Sequence, residues 1–239
     1  MRHIAGARHH EQSVSYPFRL ATIVGRRTPW RQFGAFLVAT TNALARMLDA
    51  KGKISALILA GGQAKRMHGS DKGLLLLHNK PLIAWVLESI TAQADEIFIS
   101  ANRNIGTYEA FGYPVLRDAT PDFNGPLAGL LRGLEMATHP LVLCIPCDTP
   151  FLPADLVIRL FDALAQRQAQ IAVAATHDHI HRTVCLCHRD LSHSLATFLE
   201  RGGRKVGSWQ ESLKSVEVLF EETDKFQNFN TPSELATAV

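Results

Sequence analysis

The sequence predicts an α/β fold, in which a mostly parallel β-sheet is covered by helices on both faces. Short apolar runs, bounded by glycine or polar residues, alternate along the chain with longer segments whose apolar residues recur at helical spacing. The connections between these segments are short, and strands joined through helices lie parallel. We therefore expect a Rossmann-like three-layer α/β/α sandwich.

The first strand is predicted for residues 54–60, an apolar run that ends abruptly at Gly61 and Gly62. Glycines at a strand end can adopt positive φ, and they let backbone N–H groups approach an anion without a Cβ in the way. The polar, basic loop that follows contains Arg66 and Lys72. The sequence therefore predicts a strand whose carboxyl end opens into a phosphate-binding loop. The simpler alternative is a Gly-Gly turn followed by a solvated loop.

The later elements follow the same alternation. Helices are predicted where apolar residues recur at helical spacing, in several cases behind a proline, and strands where an apolar run is short. In chain order we predict helix 81–93, strand 96–100, strand 114–116, helix 127–137, strand 141–146 and helix 153–166. The second half is less regular, with predicted strands 171–175 and 184–187, helix 191–200, strand 216–220 and a last helix that Thr231 caps and Pro232 begins.

Polar residues follow the predicted strands at the point where each strand ends. They are Asn102, Asp118 and Asp148, and they join the Gly61 loop at the same edge of the predicted sheet. In parallel sheets ligands bind at the carboxyl ends of the strands, near the topological switch point. Neither the P-loop string nor the G-x-G-x-x-G dinucleotide fingerprint occurs, so neither of those phosphate loops is present.

Asp148 and Lys72 are the leading candidates for chemistry. A carboxylate one residue past a buried strand can hold Mg2+, which usually binds through one or two carboxylates, substrate phosphates and water. The structural alternatives are that Asp148 caps the next helix, that Lys72 is a solvated loop lysine, and that Asp118 forms an Asx turn.

The string L-A-G-G-x-x-x-R-M-x-G-x-D-K-G spans residues 59–73. It resembles nucleotidyltransferases of GT-A-like α/β fold, which activate a phosphate or sugar phosphate with a nucleoside triphosphate. It is most similar to the molybdenum cofactor guanylyltransferases, because related cytidylyltransferases more often have Leu-Ala-Ala-Gly. The resemblance is densest over residues 54–146. His68 stands where that family usually has a glycine, and the segment 177–189 also departs from the family pattern.

The resemblance also implies roles for particular residues. Asp148, in P-C-D-T-P, would contact nucleotide and metal, and Ser100 stands where the family has a nucleotide-contacting asparagine. The implied catalytic residues are Lys72, Asp148 and Arg66, with Asp148 as the metal ligand. The implied nucleotide-binding residues are Leu59, Ala60, Gly61, Gly62, Lys72, Ser100, Asn102, Asp118, Gly125, Pro126 and Asp148. Asn228 and Asn230, in the family's Asn-x-Asn-Thr-Pro, are implicated in binding the pterin substrate.

The activity that the resemblance implies is transfer of GMP from GTP to molybdopterin, with Mg2+ as cofactor and release of pyrophosphate. The alternatives are the same chemistry with CTP or a sugar-phosphate acceptor, and a non-catalytic nucleotide-binding accessory protein. Transient contacts with other cofactor-biosynthesis proteins or apo-molybdoenzymes are expected.

Composition limits the other partners. A net charge of +3 is too small to argue for nucleic acid, and no apolar run approaches the about 20 residues that cross a membrane. Four cysteines without an export signal favour a cytoplasmic protein. Zinc binding by Cys144, Cys147, Cys185 and Cys187, or metal binding by His177, His179 and His181, is a less favoured alternative.

The first fifty residues differ from the rest, since they are rich in arginine and poor in acidic residues. Such a composition also occurs in organelle transit peptides. We expect residues 1–50 to be a poorly ordered N-terminal extension or the product of a mis-assigned start, and residues 51–239 to form a single nucleotidyltransferase domain. A chain that begins at Met47 is therefore expected to be folded and active. If its turnover or solubility falls below that of the full chain, the predicted boundary is wrong.

Overall fold

The computed structural model describes residues 53–61, 71–118, 125–229 and 234. The predicted domain boundary near residue 50 and the predicted helix at Thr231 lie outside these residues. The strands are β1 (Ile54–Leu59), β2 (Leu76–Leu77), β3 (Lys80–Pro81), β4 (Glu96–Ser100), β5 (Val115–Leu116), β6 (Leu141–Pro146), β7 (Ile171–Ala175), β8 (Ile180–His188) and β9 (Ser215–Leu219).

Within the described residues, seven strands form one sheet in the order β5-β4-β1-β6-β8-β7-β9. Neighbouring strands from β5 to β6 are parallel, as are β7 and β9, and β8 runs antiparallel to both of its neighbours. The prediction of a mostly parallel sheet is confirmed. Strand β8 begins at Ile180, four residues earlier than the predicted 184–187, since only a short turn separates it from β7. Its pairing with β7 shifts register after Val173, which accommodates the additional residues of β8.

Helices cover both faces of the sheet, as predicted. They are α1 (Leu82–Thr91), α2 (Ile105–Glu109), α3 (Pro126–Met136), α4 (Leu156–Arg167), α5 (Ser192–Glu200) and α6 (Val206–Glu211). Alternate residues of β1 point to opposite faces of the sheet and join two different hydrophobic cores. Ala56 and Ile58 pack with α1 and α4 on one face, and Leu57 packs with α3 and α5 on the other. No helix in the described part of the chain is long and apolar enough to cross a membrane.

Several helix boundaries differ from the predictions. Helix α1 begins at Leu82, because Pro81 is extended (φ −57°, ψ 142°) and closes a small β2–β3 hairpin. Helix α4 begins at Leu156, three residues later than predicted, after a turn in which the Leu156 N–H donates to the Pro153 carbonyl. Helix α3 does begin with a proline, Pro126, behind Gly125 at φ 143°, a backbone conformation that favours glycine.

The cysteines are part of the core. Cys144 and Cys147 lie in the cores on opposite faces of the sheet, as their spacing predicts. All four cysteines are free and buried, and burial raises the pKa of the Cys147 and Cys187 thiols well above the ordinary value. Among the described residues, no group of three or more His, Cys, Asp or Glu side chains is arranged to hold a metal ion. The zinc alternative therefore finds no support in this part of the chain.

Only part of the predicted histidine group stays together, since the rings of His179 and His181 meet edge to face at a centroid distance of 5.0 Å. The exposed ring of His177 pairs with Glu221, with its Nε2 atom 2.6 Å from the carboxylate Oε2. The ring of His181 stacks on Phe226 at a centroid distance of 4.8 Å, and its Nε2 atom lies 3.0 Å from the Thr176 hydroxyl. His177 thus pairs with a carboxylate, while His181 packs on Phe226 and lies within hydrogen-bond distance of Thr176.

Candidate active site

The carboxyl ends of β5, β4, β1 and β6 lie side by side at one edge of the sheet. Two backbone hydrogen bonds join the strand ends, from Ala60 N–H to the Ser100 carbonyl (2.8 Å) and from Cys147 N–H to the Leu59 carbonyl (3.1 Å). The chain reverses its direction of travel across the sheet between β1 and β6, which makes this edge the topological switch point. The predicted strand-end residues therefore fall where parallel sheets bind ligands.

Lys72 and Asp148 meet at this edge although they are far apart in the chain. The Lys72 Nζ atom lies 3.4 Å from Asp148 Oδ2, and the two side chains are 34% and 13% exposed. Burial raises the pKa of the Asp148 carboxyl, and the nearby Lys72 charge opposes that shift without cancelling it. Burial is therefore the larger of the two influences on this carboxyl.

Lys72 is the first residue of a short 3₁₀ turn, Lys72–Leu74, which begins immediately after Asp71. The Asp71 carboxylate accepts hydrogen bonds from the Tyr108 hydroxyl (2.5 Å) and from the Asn104 side-chain amide (3.1 Å). Tyr108 is fully buried, and burial raises its pKa, so it remains a neutral donor. Sequence reasoning missed Tyr108 because helix α2, which carries it, was not predicted.

Gly73 leaves no room for a side chain. A Cβ atom there would lie 2.6 Å from the Tyr108 hydroxyl and 3.3 Å from Cys147 Sγ. Both neighbours belong to the buried core, so an added methyl group must displace the turn that carries Lys72.

We expect Gly73→Ala to lower nucleotidyl transfer about tenfold or more, because small misplacements of a charged group at a reacting centre are costly. Its free energy of unfolding should fall by about 1–3 kcal/mol, as for other overpacked sites. The matched control is Gly106→Ala on helix α2, where no atom lies within 4 Å of the added Cβ. Steady-state turnover and thermal denaturation of both variants test this, and equal turnover in the two would contradict it.

Asn102 and Asp118 form a second part of the site. The Asn102 side chain donates to Asp118 Oδ2 (2.8 Å), and the Asp118 N–H donates to Asn102 Oδ1 (3.0 Å). Burial raises the pKa of Asp118, and the bond from Asn102 opposes that shift. An added Cβ at Gly61 would lie 3.4 Å from Asn102 Nδ2, so the glycine strand end abuts this pair.

The beginning of helix α3 covers the ends of β1 and β4. A Cβ at Gly129 would lie 2.5 Å from Ser100 Oγ and 2.9 Å from Leu59 Cδ2, so the helix contacts both strands closely. Ser100 is only 3% exposed and its hydroxyl faces the helix. Ser100 thus packs against helix α3, and its nucleotide contact, expected to be weaker than that of the asparagine it replaces, stays a prediction. Gly125 and Pro126 are exposed at the head of the helix.

Asn228, predicted to bind the pterin substrate, lies beside the loop that carries Asp148. Its Oδ1 atom accepts a hydrogen bond from the Thr149 hydroxyl (2.6 Å). It also lines a cavity of about 300 Å³ together with Pro146, His179, His181 and Arg182. The remaining predicted site residues, Gly62, Arg66 and Asn230, lie outside the described residues.

The described residues at this edge are compatible with a metal ion that takes few of its ligands from the protein. Asp148 is a carboxylate that lies 3.4 Å from Lys72 Nζ, and the described residues supply no cluster of three or more His, Cys, Asp or Glu ligands for a permanently bound metal. Mg2+ needs no such cage, because it keeps several waters and takes most of its other ligands from substrate phosphates. The buried Asp148 carboxylate is therefore compatible with a Mg2+ ion that arrives with a nucleoside triphosphate, and Asp148 as its ligand stays a prediction.

A mostly parallel sheet with a glycine strand end, a lysine and a buried carboxylate at its switch point places the protein among the α/β proteins that bind a ligand at this edge. The chain belongs to the MobA-like NTP transferase domain family, whose model matches residues 56–216. It is therefore a nucleotidyltransferase.

Relatives of known sequence agree with this assignment, and a solved structure has a similar fold. The chain is 48% identical over 192 residues to the molybdenum cofactor guanylyltransferase of Burkholderia ambifaria, covering 77% of this chain and 94% of the relative. It is 44% identical over 191 residues to the protein of the same name from Ralstonia nicotianae, covering 76% and 94%. Its fold is similar to that of molybdopterin-guanine dinucleotide biosynthesis protein A from Archaeoglobus fulgidus (TM-score 0.63, 21% identity, 76% of this chain and 95% of that one).

Proposed function

We propose that the protein transfers GMP from GTP to molybdopterin and releases pyrophosphate, which forms the guanine dinucleotide form of the molybdenum cofactor. The observation that carries this proposal is the Lys72–Asp148 pair, 3.4 Å apart at the switch point of the sheet. The names of the relatives, which match along nearly their whole length, support guanylyl transfer as the particular reaction.

In this reaction the protein positions the two substrates and neutralises the negative charge of their phosphates. The attacking group is a phosphate that is already ionised, so no general base is needed. Lys72 and Arg66, with the backbone amides of Gly61 and Gly62, would bind the triphosphate and stabilise the departing pyrophosphate. Asp148 would hold Mg2+, which when bound supplies Lewis-acid stabilisation of charge at the α-phosphate.

The acceptor half of the site is proposed for the cavity beside Asn228. The cavity lies next to the loop that carries Asp148, because Asn228 bonds to Thr149 and Pro146 ends strand β6. Arg182 and the imidazoles of His179 and His181 provide donors for an anionic acceptor. His177 and the segment that follows depart from the family pattern, so this chain would bind the acceptor with side chains of its own.

Two further parts of the proposal concern the cell. We propose a cytoplasmic location, which the four free, buried cysteines support, since disulfides are rare in that compartment. We also propose transient contacts with other cofactor-biosynthesis proteins or apo-molybdoenzymes, because the product must be handed on.

Incubation with molybdopterin, Mg2+ and each of the four nucleoside triphosphates tests the proposal, with the product identified by mass. We expect a product one GMP heavier than the acceptor, from GTP alone and only when Mg2+ is present. A CMP adduct would instead indicate a cytidylyltransferase. Nucleotide binding without any product would indicate an accessory protein.

A further inference from the structure

A segment near the carboxyl end of the described chain crosses the loop that follows strand β6. The Phe229 N–H donates a hydrogen bond of 3.0 Å to the backbone carbonyl of Asp148. One residue before, Asn228 Oδ1 accepts the 2.6 Å hydrogen bond from the Thr149 hydroxyl. Two consecutive residues of the segment therefore hold two consecutive residues of the loop, one of which is Asp148.

A group of aromatic rings, in which Phe229 is buried and Phe151 and Trp85 are partly buried, anchors this segment. Phe229 is 1% exposed, and its ring meets that of Phe151 edge to face at a centroid distance of 6.1 Å. The ring of Phe151 meets Trp85 of helix α1 in the same manner at 6.0 Å. Because Phe151 lies just beyond Asp148 and Thr149, the loop and the segment that crosses it are anchored to the same aromatic group.

We propose that Thr149 and Asn228 are positioning residues, which act through the backbone of Asp148 to hold its carboxylate where it binds Mg2+·GTP. This inference rests on the proposed function of Asp148 as the metal ligand. Thr149 is only 1% exposed, so its hydroxyl acts through the loop and does not touch substrate.

The proposal gives Asn228 a different role from the pterin contact that the resemblance implies. Its side-chain oxygen is already bonded to Thr149, and that bond joins residues 79 positions apart in the chain. If Asn228 acts through Thr149, removing either partner has the same effect, and removing both adds little. If Asn228 serves only the acceptor, Thr149 has no part in its effect.

The experiment compares Thr149→Val, Asn228→Ala and the double variant with the wild-type protein, with Thr149→Ser as a control that keeps the hydroxyl. GTP affinity is measured by calorimetry without acceptor, once with Mg2+ and once with EDTA, and kcat is then measured with molybdopterin. We expect each single variant to lose about tenfold in Mg2+-supported GTP affinity and in kcat, on the scale of small misplacements at reacting centres. With EDTA their affinities should equal that of the wild-type protein.

The double variant should be no worse than either single one, and Thr149→Ser should match the wild-type protein. Thr149→Val with unchanged Mg2+-supported binding would overturn the proposal, as would an Asn228→Ala variant that raises only the KM for the acceptor. Asn228 is exposed, so its variant is expected to fold even if Thr149→Val does not. Absence of GMP transfer by the wild-type protein would refute the proposed function, whereas the binding comparison would still decide the positioning role.

Discussion

Asp148→Ala is expected to lower guanylyl transfer by about a thousandfold or more, because a metal ion's stabilisation of transition-state charge is worth several kcal/mol. Asp148 is the carboxylate that faces Lys72 at the switch point, and its backbone is held by Phe229. Single-turnover rates at saturating GTP and Mg2+ measure the loss. Asp162→Ala, on helix α4, is the matched control and should retain its rate. A rate near that of the wild-type protein in Asp148→Ala would refute the metal assignment.

The same site predicts a gain in stability for Asp148→Asn. Burial raises the pKa of the folded-state carboxyl above its unfolded value, so the folded state holds this proton more tightly. The stability that the protonated Asp148 carboxyl contributes is fully present below the pKa of this group in the unfolded chain. It is lost as the pH rises through the higher pKa of the same group in the folded protein. At neutral pH the ionised carboxylate therefore costs stability, and the asparagine variant should unfold at a higher denaturant concentration. That difference should shrink as the pH falls into the ordinary range of an aspartate.

Stability and activity should thus change in opposite directions at this one residue. Such a trade-off is expected where a charged group is kept in an unfavourable environment for chemistry. A variant that lost both activity and stability at neutral pH would instead assign Asp148 a structural role.

The sequence predicted the buried strands best. Strands β4, β6 and β7 have the predicted bounds, because each is an apolar run that polar or small residues delimit on both sides. Helices α2 and α6 were missed, since five or six residues are too few to show a helical period. Their stability comes from tertiary packing, as the complete burial of Tyr108 and Trp209 indicates.

The same limit applies to the candidate site. The juxtaposition of Lys72 and Asp148 followed from strand-end positions and from the resemblance, and the structure brings the two side chains together. The burial of Ser100 depends on how closely Gly129 lets helix α3 approach, and no local pattern reveals that distance. The bond between Thr149 and Asn228 likewise joins distant segments. Contacts of this kind become visible only when the chain is folded.

The choice of nucleotide is the second large effect that we expect. Guanine presents N1–H and N2–H2 donors that cytosine lacks, and a site that pairs such donors leaves its own acceptors unpaired when the wrong base binds. Exposed Gly125 and Pro126 at the head of helix α3 provide backbone against which a flat base can lie. Asp118 follows strand β5, and two hydrogen bonds with Asn102 fix its position. There we expect it to contact the ribose or the base.

We therefore expect kcat/KM for GTP to exceed that for CTP and for ATP by about a thousandfold or more, the scale of discrimination that buried, unpaired polar groups provide. The three values are to be measured side by side with the same acceptor and Mg2+ concentration. Loss of the Asn102–Asp118 pair in Asn102→Ala should reduce that preference, because Asp118 is then free to rotate. Comparable values for CTP and GTP in the wild-type protein would refute guanylyl transfer as its reaction. Lys72 and Asp148 would keep their proposed roles in that case, since the triphosphate and metal that they are proposed to bind are common to all three nucleotides.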